Sequence, residues 1–426
     1  MSLYNQLAAV YHKMETIPVV RWAGERYLHG GPVGNANAYR RLANLHAGKV
    51  GRSQPGGASA PLNVVFVQQH KVNWDIVRVL YEKMLDDARF NVFLVAVDEP
   101  HDVDHDAVYR LLVGLYGGEA VIKAEGPGGL FDLRSLNPDY VFLPRPYDQY
   151  LPKPYRSGVV SRYASVAYVP YGADFFSDVD GDFMNGRFCR NVSYFFADCD
   201  RVAEMQRSAY PVSHKTGVMS TLVTGLPYLT RYAELEHEAH DGFNVLWTPR
   251  WGEEANLGGS SFMSFKDGIV SYVESRDNMR LLFRPHPFMF EHFISTGRIT
   301  ERDAQAYLER FADGDKYRYD TAPDLYESFA ASDVLVTDVS SIIVPYLVTG
   351  KPVVLCETGA HLSDIGLQAL EVMYKAEDLL DALALVELLR DGYDPLREKR
   401  ERMVKDLFLP NGADPSATIM DVLAQE

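Results

Sequence analysis

Strand and helix signals alternate along this chain, and the alternation runs through twice. The first series opens with the β-branched run "LNVVFVQQH", passes into "WDIVRVLYEKMLDDA" with its helical spacing, and continues through "FNVFLVAVDEP", "PDYVFLPRP", "YASVAYVPYG" and "RNVSYFFADCD". After "TGLPYLTRYAEL" the series restarts. "FNVLWTPRW", "MRLLFRPHP", "DVLVTD" and "KPVVLCE" read as strands, with "SFKDGIVSYVES", "TAPDLYESFAAS" and "SSIIVPYLVTG" as helices between them. Strands that alternate with helices predict parallel sheets covered on both faces. Two such halves of about 160–180 residues predict an α/β chain of two doubly wound domains, facing each other across a central cleft.

The boundaries follow from what interrupts the pattern. Residues 1–47 read as helical, and "GKVGRSQPGGASAP" from Gly48 to Pro61 is a flexible junction rich in Gly, Ser and Pro. The expected division is a helical N-terminal extension and junction over 1–60, a first domain over 61–228, a second over 229–400 and a C-terminal helical segment over 401–426.

Bulk properties exclude some functions. With 58 acidic and 42 basic residues the net charge is −16, which argues against nucleic-acid binding through the overall field. Cys189, Cys199 and Cys356 are scattered, so neither a disulfide framework nor a zinc knuckle is indicated, and a reducing cytoplasm is the simple reading. No apolar run approaches the ~20 residues that span a bilayer, and the N-terminus lacks the basic start and apolar block of a signal peptide.

Chemistry is expected at strand ends, where such sheets bind ligands. In "VTDVSS", Asp338 closes a strand and Ser340 or Ser341 falls at a helix N-cap. The free N–H groups that follow make an anion site suited to a pyrophosphate, although a serine there can simply cap the helix. In "LLFRPHP", Arg284 can grip a phosphate as a fork and His286 can donate to one or exchange a proton. In "VLWTPRWGEE", Thr248 and Arg250 can reach phosphate, while Trp247 or Trp251 either walls a base or belongs to the core. Three strand ends of one half thus carry Thr/Arg, Arg/His and Asp/Ser/Ser. No G-x-x-x-x-G-K-[ST] or G-x-G-x-x-G is present, which argues against a P-loop NTPase and a standard dehydrogenase.

In order and wording, "TPRW", "RPHP" and "SDVLVTDVSSIIVPYLVTGKPVVL" resemble the second half of the CDP-glycerol glycerophosphotransferases, the teichoic-acid and capsule polymerases of GT-B fold. "YFFADCDRVAEMQRSAY" and "PDYVFLPRPYDQYLPKPYR" resemble earlier parts of that family, and the likeness runs from about Asn63 to Asp414. It implies a GT-B-like fold of two facing Rossmann-like domains plus the helical extension. It also implies a CDP-linked donor held by the second domain, with His286, Ser340 and Ser341 toward its phosphates. Two departures stand out. The family's Trp-His-Gly-Thr-type segment is missing, its place taken by "YVPYGADF" with Tyr171 and Gly172, and Pro345 stands where an acid is common.

The base must then come from elsewhere. His70 follows the first strand and is the first candidate; Asp174 is the reserve. "DCD" from Asp198 to Asp200 is read as an N-cap rather than a metal site. "DVDGDF" fails as a calcium loop because Phe183 replaces the required Gly, and "PHDVDHD" reads as a solvated turn. No dedicated carboxylate cage is legible, so no cofactor is required, though a divalent ion such as Mg²⁺ can assist phosphoryl transfer.

The expected reaction moves glycerol phosphate, or a related polyol phosphate, from a CDP-activated donor to a hydroxyl of a cell-surface polysaccharide or lipid-linked acceptor. The expected setting is the cytoplasm, at the inner face of the membrane or within a multi-enzyme assembly. Three readings compete with it: a GT-B glycosyltransferase using a CMP-, CDP- or UDP-linked sugar, a non-catalytic nucleotide-sugar binding module, and an enzyme resembling the UDP-sugar epimerases.

Overall fold

The computed structural model describes residues 32–50, 60–99, 104–176, 186–252, 259–312, 314, 316–322, 324–356, 361–409 and 414–425. Fifteen strands occur among them. They are β1 (Leu62–Gln68), β2 (Phe90–Ala96), β3 (Val121–Lys123), β4 (Glu125–Gly126), β5 (Gly129–Leu130), β6 (Tyr140–Phe142), β7 (Ser165–Tyr168), β8 (Tyr194–Ala197) and β9 (Ser220–Val223), then β10 (Phe243–Thr248), β11 (Met279–Phe283), β12 (Tyr317–Tyr319), β13 (Val334–Thr337), β14 (Val353–Cys356) and β15 (Tyr374–Ala376).

Two all-parallel sheets result. One has the order β3-β2-β1-β6-β7-β8-β9, the other β12-β11-β10-β13-β14-β15, and β4 and β5 form a separate antiparallel pair. Each sheet runs outward from its first strand, then reverses and runs the other way. The reversal lies between β1 and β6 in one and between β10 and β13 in the other. At such a point the loops at the carboxyl ends diverge and leave a crevice for ligands.

The strands read from sequence all form. β3, β4, β5, β9, β12 and β15 were not read; β4 and β5 are two residues each, and "YRY" and "YKA" of β12 and β15 carry little apolar signal.

By contacts the chain forms two compact units. One comprises the described parts of Met1–Tyr171, Val179–Tyr228 and Ala413–Glu426; the other comprises those of Gly172–Asp178 and Leu229–Gly412. In the first unit Val65, Val67, Val141, Val166 and Phe195 build the core on one face of the sheet. In the second, Val245, Trp247, Leu281, Phe283, Val334 and Val336 do the same.

The helix Pro32–Val50 is the described part of the N-terminal extension; residues 1–31 and 51–59 lie outside the described residues. Leu42 enters the first core, Arg41 donates to Asn191 Oδ1, and Lys49 Nζ donates to Ser165 Oγ at 2.8 Å. Its apolar side is thus committed to its own domain.

The C-terminal segment is shared between the units. The helix Arg397–Phe408 stays with the second, where Arg400 Nε donates to Gly350 O at 2.9 Å. The helix Pro415–Ala424 joins the first, where Tyr140 Oη donates to Leu423 O at 3.0 Å and Arg89 pairs with Asp421 at 2.8 Å.

Candidate functional site at the sheet reversal of the second unit

β10 and β13 lie side by side, with Thr248 level with Thr337, so "TPRW" and "DVSS" leave the sheet at the same edge. Asp338 ties them together. Fully buried, it accepts from the Arg250 N–H at 2.8 Å and from the Ser261 N–H at 3.1 Å. Burial raises its carboxyl above the ordinary range, while those N–H groups and the nearby Arg250 charge pull against the rise. The third loop is joined by backbone as well. The Arg284 N–H donates to Trp247 O at 2.9 Å and the His286 N–H to Pro249 O at 3.1 Å.

His286 is the side chain this scaffold presents most clearly. Its Nδ1 accepts from the Phe288 N–H at 3.2 Å, which leaves Nε2 as the protonated, donating nitrogen of the neutral ring. Burial, then the Arg250 charge, lowers its pKa to about 4. At neutral pH it is therefore a hydrogen-bond donor and not a cation. Trp251 lies beside it, with ring centroids 6.1 Å apart, and packs on His292 from the other side at 5.2 Å. The sequence offered no sign of His292.

Several expected roles change. Thr248 is buried, and its hydroxyl donates to Thr337 Oγ1 at 2.7 Å, so it locks β10 to β13 rather than meeting a ligand. Arg284 is bound inward, to buried Asp320 at 3.2 Å, to Ser328 Oγ at 3.1 Å and to Ala322 O at 2.8 Å. Its fork is spent on holding the next loop. Asp338 likewise acts on the backbone.

Neither serine caps the helix Ile343–Val348; Ile342 is the N-cap and no side chain bonds there. Ser340 lies 3.5 Å from Thr337 Oγ1 and Ser341 is exposed, both in the turn before the helix. Pro345 sits in the first turn, where its missing N–H costs nothing. Trp247 is core, stacked on Phe262 and tilted against Phe283.

In the first unit the equivalent reversal carries His70. Its Nε2 is 3.7 Å from Glu99 Oε2, and Glu99 Oε1 accepts from Arg145 Nη2 at 2.8 Å. Gln69 Nε2 donates to Tyr150 O at 2.7 Å, and the Tyr147 and Tyr171 hydroxyls meet at 2.9 Å. Glu99 and Arg145 were missed, yet each follows a strand, the same signal that singled out His70.

Asp174 does not share this setting. It is buried in the stretch 172–176, which belongs to the second unit, and its carbonyl accepts from Ser363 Oγ at 3.1 Å. The chain changes units at Gly172, which removes Asp174 from the strand end that suggested it.

Of the discounted signals, the helix Asp200–Ala209 takes Cys199 as N-cap with Asp200 in its first turn, so neither aspartate caps by side chain. "DVDGDF" and the first four residues of "PHDVDHD" lie outside the described residues. Among the described residues no group of three or more His, Cys, Asp or Glu gathers as for a metal, and no helix is long and apolar enough to cross a membrane.

Residues 202–359 match the family model described as CDP-Glycerol:Poly(glycerophosphate) glycerophosphotransferase, a span that contains Thr248, Arg250, Arg284, His286, Asp338, Ser340 and Ser341 but neither His70 nor Asp174. No curated protein sequence matches the chain. Among solved structures, UDP-GlcNAc 2-epimerase from Neisseria meningitidis bound to UDP-GlcNAc aligns at TM-score 0.58 and 11% identity, over 86% of this chain and 100% of that one. S. aureus MnaA with UDP aligns at 0.53 and 14%, over 85% and 96%. The wall teichoic acid polymerase TagF soaked with CDPG aligns at 0.51 and 13%, over 92% and 98%. The fold is thus GT-B-like, built on two parallel α/β sheets.

Proposed function

We propose, from the match of residues 202–359 to the CDP-glycerol:poly(glycerophosphate) glycerophosphotransferase family model, that this chain moves glycerol phosphate from CDP-glycerol to an acceptor hydroxyl. One observation carries the reading: three strand-end loops, pinned to one another at the sheet reversal by the Asp338 carboxylate and by backbone hydrogen bonds, present a neutral, donating His286 beside Arg250. That is the equipment for a diphosphate.

In this reaction the acceptor oxygen attacks the phosphorus of the glycerol phosphate in line. The new P–O bond forms as the bond to CMP breaks, and the electron pair leaves on the CMP phosphate. Arg250 and the His286 Nε2–H meet the charge that builds there; donors fixed in advance are worth most when charge is developing. Trp251 walls the nucleotide. His70, braced by Glu99, takes the acceptor proton. The acceptor is a polyol phosphate chain or lipid-linked glycan. Activated nucleotides are made in the cytoplasm, so the inner membrane face is the place of work.

Incubation with CDP-glycerol and a glycerol-phosphate-primed acceptor tests this. Release of CMP together with a new phosphodiester in the ³¹P spectrum is expected. A glycosidic product from a nucleotide sugar, or inversion at a sugar carbon without transfer, would replace this reading by a glycosyltransferase or an epimerase.

A further inference from the structure

A cavity opens at the other end of the same strands. It has a volume of about 150 Å³ and is lined in part by Glu238, His240, Asn244, Arg280 and Arg318. Asn244 stands four residues before Thr248 on β10, and Arg280 four before Arg284. At about 3.3 Å per residue that is ~13 Å from the loops that hold His286.

Register decides which side chains share this cavity. Asn244 is level with Arg280, and Leu282 with Arg318. Side chains alternate along a strand, so Arg280 and Leu282 lie on one face, and Asn244, Arg280 and Arg318 therefore share it. It is the face opposite the Val245–Leu281–Phe283 core. Both arginines are exposed, and neither side chain has a hydrogen bond or ion pair among the described residues. On a chain of net charge −16, two such neighbours stand out.

The floor is polar and incomplete. Asn244 is 3% exposed; its amide N–H donates to Ala331 O at 2.6 Å, which fixes the orientation and leaves Oδ1 buried with no partner. His240 Nε2 is held 3.5 Å from Asp333, and its Nδ1 is likewise buried without one. Buried polar atoms left unsatisfied are costly and rare, and they mark places where a ligand or ordered water belongs. Glu238 is the carboxylate among the cavity-lining residues, and as an acceptor it favours a ligand that brings hydroxyl donors beside its phosphate.

We infer that this cavity binds a hydroxylated phosphate, with a hydroxyl donating to Asn244 Oδ1 and the phosphate against Arg280 and Arg318. The choice of glycerol phosphate within that class rests on the proposed function; the site itself rests on the residues. A polyol phosphate acceptor held here is tethered to the unit that holds the donor, which raises its effective concentration without touching the reacting atoms.

The test is calorimetric titration of the full chain with glycerol 3-phosphate, inorganic phosphate and a short poly(glycerol phosphate), each with excess CDP present to fill the donor site. Glycerol 3-phosphate is expected to bind more tightly than phosphate. Arg280→Glu with Arg318→Glu should weaken both by at least about tenfold, the loss of charge-assisted bonds, and leave the KM for CDP-glycerol unchanged. Asn244→Leu should erase the preference for glycerol 3-phosphate over phosphate; should that protein not fold, the surface arginine pair decides alone. Equal affinity in wild type and the arginine variant, or no binding of any probe, overturns the inference. Arginine-dependent binding without turnover of CDP-glycerol would keep the site and remove the functional reading, while turnover with arginine-independent binding would do the reverse.

Discussion

The two sheet reversals are built alike and finished differently. In the second unit the loops are joined through main-chain N–H groups, those of Arg250 and Ser261 held by the Asp338 carboxylate and those of Arg284 and His286 by the Trp247 and Pro249 carbonyls. In the first unit the reversal is furnished by side chains, His70 to Glu99 to Arg145, over Gln69 and a pair of tyrosines. Bonds to main-chain N–H groups fix the path of a loop, whereas side-chain pairs fix only one another. Residues 202–359, which match the family model, hold the first arrangement and not the second.

The comparison can be broken most directly at His286. Its replacement by Ala should lower kcat on the order of 10²–10³, the usual loss for one oxyanion-type donor, with the fold retained by circular dichroism. A protein that kept full turnover would end the role given to His286. His70→Gln should cost about 10², at the low end for a general base, and Glu99→Gln should cost less than that because it only orients the ring. Should Glu99→Gln prove the more damaging, the carboxylate and not the imidazole is the working group.

Asp338→Ala sharpens the structural half of the comparison. It leaves two buried N–H groups without an acceptor, at roughly 1–3 kcal/mol each, and should lower the midpoint of denaturant unfolding along with kcat/KM. Arg145→Met, in the side-chain cluster, should change activity and leave unfolding nearly untouched.

The smallest effect is on pH. His286 has its pKa lowered from 6.5 to about 4, chiefly by burial. Above 6.5 the ring is neutral whether the chain is folded or not, so the full stability is present. As pH falls from 6.5 toward 4, the unfolded chain takes a proton that the folded one refuses, and stability is lost. His286→Gln should flatten that part of the stability curve, read by urea denaturation at several pH values.

The fold was legible because strands buried on both faces leave long apolar runs, and because helices between them keep a different period. The order of strands within each sheet, and with it the place of each reversal, came from the structure. Direction was harder. Thr248, Arg284 and Asp338 stand at the right strand ends, yet their polar atoms turn inward to bind Thr337, Asp320 and two backbone N–H groups. A sequence shows that a polar group sits at a strand end; it does not show which partner reaches it first. Asp174 shows the same limit at larger scale, since contacts between distant segments, not local pattern, assign the stretch 172–176 to the second unit.

A crystal of the full chain soaked with CDP-glycerol is the most direct trial of the central claim. The account predicts the diphosphate at the β10–β13 reversal, within hydrogen-bond reach of His286 Nε2 and Arg250. A diphosphate bound elsewhere, with those two side chains unengaged, would contradict it.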